Sequence, residues 1–184
     1  MASTTDLVSD RIHLRIIKDS DVSQEYCDWL NDPEVNCYLE TRYQMQTLSD
    51  IARFVAEKRD SNSEYLFAMV RNVDDKHIGN IKIGPIQPWH RLADVSLFIG
   101  NRECWGKGFA SEAIKRITAF AFSELRLNKV SASIYAKNIG SIQAFIKAGW
   151  RREAVLRRHY IHDDGPMDIV LMGLCADETK GENT

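Results

Sequence analysis

The segment Trp105-Gly106-Lys107-Gly108-Phe109-Ala110 constrains this chain more than any other. It follows an apolar run, Val95-Ser96-Leu97-Phe98-Ile99-Gly100, which reads as a strand. It precedes Ala110, Ile114, Ile117 and Ala121, which recur at helical spacing. The glycines therefore fall at a strand-to-helix turn. Such a turn aims successive backbone N–H groups at one point, and the helix N-terminus adds unpaired donors and a positive dipole end. Two readings stand: a cradle for phosphate or pyrophosphate, or a tight turn that binds nothing. Spacing excludes two phosphate motifs. Walker A needs Ser or Thr after its lysine, and Lys107 is followed by Gly108. The dinucleotide fingerprint needs a third glycine where Ser111 stands, in an opening βαβ unit, whereas this turn lies past the chain's midpoint.

A length of 184 residues suits one domain, and 44% hydrophobic residues suffice for a core. A formal net charge of −2 gives no general attraction to nucleic acid or anionic membrane. No apolar stretch approaches the roughly 20 residues of a membrane span, and the first residues lack the basic-then-apolar order of a secretion signal. Cys27, Cys37, Cys104 and Cys175 form no Cys-x-x-Cys pair, which fits free thiols in a reducing cytoplasm. The five histidines show no metal-ligand spacing, so no metal is expected.

Residues 1–10 read as a frayed start, 11–176 as one domain, and 177–184 as a flexible polar tail. Arg11 to Ile17 alternates as a first strand. Asp21 is a helix cap with Gln24 as its reciprocal partner; that helix carries Tyr26, Trp29 and Leu30 and stops before Pro33. Residues 34–46 are irregular. Thr47 caps a second helix whose apolar side is Ile51, Phe54 and Val55. Strands are expected at 65–70, 77–83, 93–99 and 129–135, a helix from the glycine turn to Phe122, and a short helix from Asn138 to Gly149. Two last strands flank Asp163-Asp164-Gly165-Pro166. The order implies an α+β fold, one mixed sheet covered by helices.

Four ordered pieces of the chain resemble the GCN5-related N-acetyltransferase (GNAT) superfamily. LFIGNRECWGKGFASEAI is similar to its acetyl-CoA motif, and LRLNKVSASI to the strand that follows. Asn138-Ile139-Gly140-Ser141 with Ala148-Gly149-Trp150 resembles its Asn-x-x-Ser helix and terminal Gly-aromatic. REAVLRRHYIHDDGPMDIVLMGL is similar to the C-terminal hairpin of the subgroup of ribosomal-protein N-terminal, spermidine and amino-sugar acetyltransferases.

The resemblance implies a centrally splayed sheet, with the pantetheine of acetyl-CoA along Leu97, Phe98, Ile99 and Gly100. Its pyrophosphate would sit over Trp105, Gly106, Lys107, Gly108, Phe109 and Ala110. Glu103 departs from the usual Gln or Arg and should point away from the phosphates. Asn138 is implied as a cofactor contact or as a helix cap alone. Phe145 stands where many relatives carry a proton-donating tyrosine, so Ser141 becomes the thiolate partner and Phe145 packs against cofactor or core. Asp94 and His90 are the groups for proton relay or amine orientation, beside a water-relayed route. The acceptor would enter over Tyr38, Glu40, Arg42 and Tyr43, with Arg42 pairing a phosphate and Glu40 meeting an ammonium. Clustering of Arg151, Arg152, Arg157, Arg158 and His159 would attract an anionic substrate, but the alternating faces of a strand disperse that charge. The acceptor implied first is a nucleotide-linked amino sugar or related small amine, then a protein N-terminus. A noncatalytic acetyl-CoA-binding module is the third reading. A monomer or a homodimer is expected.

Overall fold

A computed structural model of the chain describes residues 6–178. The five residues before and the polar tail after fall outside the described residues, and with them most of the expected flexible ends.

One eight-stranded sheet organises the molecule, in the order β1-β2-β3-β4-β5-β6-β8-β7. Its strands are β1 (Leu7–Val8), β2 (Ile12–Ile16), β3 (Tyr65–Arg71), β4 (Lys76–Ile83), β5 (Leu92–Ile99), β6 (Lys129–Tyr135), β7 (Arg151–His162) and β8 (Gly165–Cys175). The helices are α1 (Gln24–Asn31), α2 (Pro33–Asn36), α3 (Leu48–Arg59), α4 (Phe109–Ser123) and α5 (Ile139–Lys147). All neighbouring strands are antiparallel except β5 and β6.

Helices cover both faces, so Leu66 to Val70 of β3 are buried without alternation. Under α4, Ile114, Ile117 and Phe120 join Phe67, Met69 and Ile81 in the larger core. On the other face Tyr26, Trp29 and Leu30 of α1 and Ile51 and Val55 of α3 pack against Leu66. Phe54 departs from the expected apolar side: it is 38% exposed.

Three local expectations are corrected. Leu7–Val8 pairs with β2, so the start is not wholly frayed. Ser23 rather than Asp21 caps α1, its Oγ accepting from the Tyr26 amide at 3.2 Å. Asp21 is drawn away by Arg15, whose guanidinium donates to both carboxylate oxygens at 2.6 and 2.7 Å. The stretch after Asn31 is not irregular throughout: Asp32 caps α2 with Pro33 at its first position, and Glu40–Tyr43 forms a 3₁₀ turn. Thr47 caps α3 as expected, and Asp50 adds the reciprocal half of a capping box.

Candidate functional site

The site begins where the sheet fails to close. β5 and β6 pair only from Leu92↔Lys129 to Asp94↔Ser131. Beyond that, β5 bonds to β4 alone and β6 to β8 alone. The Gly100 amide donates to the Ile78 carbonyl at 2.9 Å and the Gly84 amide to the Asp94 carbonyl at 2.8 Å. Main-chain direction alternates along a strand, so the even-numbered residues of β5 face β4 and Leu97 and Ile99 face the gap. The Ile99 carbonyl is taken by the Trp105 indole N–H at 2.8 Å. Leu97 presents its N–H and C=O to the opening.

Two cavities open along this wedge, of about 490 Å³ and about 550 Å³. They meet at Tyr38, Leu39, Leu97, Phe98, Asn138 and Ser141, which line both. The larger runs to the glycine turn, past Trp105, Gly106, Gly108, Phe109 and Ala110. Gly106 (φ +71) and Gly108 (φ +85) are left-handed, which only glycine adopts freely. The first intrahelical bond of α4 is from the Glu112 amide to the Gly108 carbonyl at 3.1 Å, so the amides of Phe109, Ala110 and Ser111 remain for an anion. Arg11 braces the turn from outside. It donates to the Lys107 carbonyl at 2.8 Å, pairs with Glu112 at 2.7 Å and lies 4.8 Å from the Phe109 ring centroid.

Of the expected cofactor residues, Gly100 and Lys107 line neither cavity, whereas Phe98 lines both and Phe145 the smaller one. Gly100 lines neither cavity; a Cβ there would lie 2.0 Å from the Trp29 ring, so this glycine admits the indole rather than a ligand. Lys107 and Glu103 are exposed and line neither cavity. The Phe98 ring packs against Tyr26, centroids 6.0 Å apart. Phe145 is buried, its ring 4.7 Å from that of Trp150. Asn138 caps α5, its Oδ1 accepting from the Ser141 amide at 3.1 Å, and its Nδ2 donors stay available beside the cavities. The Ser141 hydroxyl stands on the first turn of α5, where the two cavities join.

The smaller cavity takes in two of the four residues expected on the acceptor side, Tyr38 and Glu40, and neither Arg42 nor Tyr43. Tyr38, Glu40, Phe54, Tyr135 and Tyr160 line it. The Tyr135 hydroxyl donates to Glu40 Oε1 at 2.6 Å and accepts from Arg42 Nη2 at 3.0 Å. Burial and that bond to Glu40 push the Tyr135 hydroxyl up to about 12. The terminal nitrogens of Arg42 are engaged within the protein, while its buried Nε has no partner among the described residues. Its side chain is 6% exposed, donates to the Leu39 carbonyl at 2.9 Å, bonds the Tyr43 hydroxyl and lies 4.1 Å from the Tyr43 ring centroid. Tyr43 in turn donates to the Ile161 carbonyl at 3.1 Å and lines neither cavity. Glu40 keeps a 71% exposed side chain.

Asp94 and His90 are not brought to the cavities. Asp94 sits at the closed end of the wedge and accepts a hydrogen bond from the Ser131 hydroxyl. His90 lies in the exposed turn before β5. Tyr135 is the residue the sequence reading passed over. Its signal was weak, a phenol at the last position of a strand, where direction depends on how far the sheet has opened.

Residues 11–151 match the family described as Acetyltransferase (GNAT) domain. The chain is 31% identical to the uncharacterized N-acetyltransferase YoaA of Bacillus subtilis (strain 168), over 88% of this chain and 92% of that protein. It is 26% identical to the uncharacterized N-acetyltransferase p20 of Bacillus licheniformis, over 95% and 98%. Among solved structures it resembles spermidine N-acetyltransferase from Vibrio cholerae in complex with CoA and spermine, with TM-score 0.83, 19% identity, and coverage of 94% of this chain and 100% of that one. A GNAT-family acetyltransferase from Bacillus anthracis gives TM-score 0.82 at 20% identity, covering 94% and 99%. The chain belongs to the GNAT family and is an acetyl-CoA-dependent N-acetyltransferase.

Proposed function

We propose that this acetyltransferase moves the acetyl group to a small primary amine by direct attack in a ternary complex, with a nucleotide-linked amino sugar as the acceptor. The observation that carries the reading is the meeting of two cavities at Leu97, Asn138 and Ser141. One cavity ends at the glycine cradle and suits a long phosphate-bearing donor. The other is ringed by Tyr38, Phe54, Tyr135 and Tyr160, whose faces suit a sugar ring or base.

Each residue then has a bounded task. The Leu97 amide is a donor for the thioester oxygen as charge develops on it. Glu40, fixed by Tyr135, receives the acceptor ammonium and orients it. The attacking amine must be neutral, so a proton leaves through Glu40 or water. The Ser141 hydroxyl donates to the departing thiolate. His90 and Asp94, both outside the cavity lining, are left as structural groups in this scheme.

The test is acetyl-CoA consumption against matched amines: a UDP-linked amino sugar, the free amino sugar and a peptide with a free N-terminus. Preference for the nucleotide form supports the acceptor reading. Preference for the peptide replaces it with protein N-terminal acetylation. CoA binding without turnover on any amine leaves a noncatalytic binding module.

A further inference from the structure

The last hairpin is not a regular ladder. β7 and β8 pair up to Leu156↔Ile169 and resume at Tyr160↔Met167. Arg157, Arg158 and His159 therefore face the single residue Asp168. The Asp168 carboxylate closes this bulge by accepting from the Arg158 amide at 2.7 Å. Arg158 has φ +51, an uncommon conformation for a side chain of its size. A regular strand would send Arg157 and Arg158 to opposite faces, and the bulge breaks that alternation. All three residues are exposed, and neither arginine has an ion-pair partner among the described residues. The nearby Lys137 and Asp164 already neutralise each other at 2.9 Å.

The bulge adjoins the acceptor cavity. Tyr160, the next residue, lines that cavity, and its ring lies 5.6 Å from Tyr135 and 4.8 Å from His159. Tyr135 pairs with Ile169, which pairs with Leu156. Two strand spacings, about 10 Å, thus separate the Tyr135 backbone from the edge of the bulge. Neither arginine lines the cavity itself, so a phosphate held by them would sit at its rim, about the length of a hexosamine from Tyr135.

We infer that Arg157 and Arg158 form an anion site that takes the phosphate of a phosphorylated acceptor while Glu40 holds its amine. The inference rests on the acetyl-transfer reading above and names the cations that Arg42 does not supply. Guanidinium groups suit the purpose because they match phosphate oxygens with paired donors. Binding there sets specificity between a phosphorylated amine and its free counterpart, without touching acetyl-CoA.

The experiment compares kcat/KM for a UDP-linked amino sugar, the amino sugar 1-phosphate and the free amino sugar. Wild type is set beside Arg157→Ala, Arg158→Asn and the double variant; asparagine tolerates the left-handed backbone at residue 158. Calorimetry with CoA on each variant confirms that the donor site is intact. Each single change is expected to cost the phosphorylated acceptors about three- to fivefold, since both arginines are exposed, and the free sugar less than about twofold. Added salt should weaken the preference in wild type and not in the double variant. A phosphorylated-acceptor preference that survives in the double variant overturns this site and leaves the acetyl-transfer reading intact. A wild type that prefers the free sugar overturns the anion site and the nucleotide assignment together. A wild type that binds CoA and acetylates none of these amines overturns the proposed acceptor class itself, and the anion site with it.

Discussion

Replacing Gly106 separates two reasons for a glycine. Nothing lies within 4 Å of where its Cβ would stand, so crowding contributes no cost. The whole penalty comes from φ +71. A left-handed residue other than glycine costs roughly 1–2 kcal/mol, less for asparagine and more for a β-branched side chain. That strain appears in one of two measurements. Where Arg11 holds the turn through the Lys107 carbonyl at 2.8 Å, the strain lowers stability. For a chain of this size each kcal/mol lowers the melting temperature by about 2–4 °C. Where the turn relaxes to negative φ, its amides swing off the anion and the same strain weakens CoA, by about 5- to 30-fold.

The assay is thermal unfolding and calorimetric titration with CoA on Gly106→Asn, Gly106→Ala and Gly106→Val. The summed loss is expected to rise in that order. Gly108→Val provides a second site, where an added Cβ would also lie 3.4 Å from the Arg11 guanidinium. Native CoA affinity and native melting temperature in both valine variants would refute the cradle, because the backbone would not then need the glycines.

Four further outcomes are expected. Ser141→Ala should slow single-turnover acetyl transfer by about tenfold or less while CoA affinity holds; an unchanged chemical step would assign the serine to the helix turn alone. Tyr135→Phe should lower kcat/KM for the amine about fivefold with CoA binding unchanged; the loss is small because Glu40 is 71% exposed and each bond is discounted for solvent. A fully retained kcat/KM would detach Tyr135 from the acceptor. His90→Ala and Asp94→Ala should keep turnover within about twofold, with the wild-type pH profile between about pH 6 and 9; a lost basic limb would restore one of them as the relay. Burial raises the Asp21 carboxyl, but Arg15 and the Lys18 amide outweigh it and hold the carboxyl below its ordinary value. Its stabilisation is therefore full above the unfolded value near ~3.9 and is lost as pH falls through the lower folded one. The gap in urea midpoint between wild type and Asp21→Asn should close over that acid range, and a gap that ignores pH would remove the linkage.

What the sequence made legible was whatever local chemistry decides alone. The glycine turn, the Thr47 cap, the Asn138 cap and the Gly149 stop (φ +93) each follow from one residue's backbone or hydrogen-bonding habit. Strand limits fell within a residue or two because apolar runs end at turns. What stayed hidden depends on distant partners. Asp21 and Ser23 are both good caps, and only Arg15, across the turn, decides between them. Two residues of β1 carry no periodicity. Arg42 looks like a ligand cation until Leu39, Tyr43 and Tyr135 occupy it. Nothing in the local sequence says that Gly100 lies against Trp29. The basic run at 157–159 looked dispersed because alternation assumes an unbulged strand.

The burial of Arg42 also follows from the opened sheet. Past Asp94 and Ser131 no ladder joins β5 to β6, so the two halves of the sheet need other ties at the open end. The segment from Cys37 to Tyr43 supplies them. It leaves α2 in the N-terminal half and reaches the last hairpin, where His162 Nε2 donates to the Cys37 carbonyl at 2.8 Å and Tyr43 donates to the Ile161 carbonyl. Arg42 sits between these two bonds and reaches Tyr135 on β6. A neutral side chain there would make fewer bonds, since a guanidinium offers five donors in a fixed plane. The same contacts that bridge the wedge hold Glu40 against Tyr135 at the cavity. Stability at the opening and placement of the Glu40 carboxylate are thus one arrangement. Arg42 is thereby committed to the seam, bonded to Leu39, Tyr43 and Tyr135.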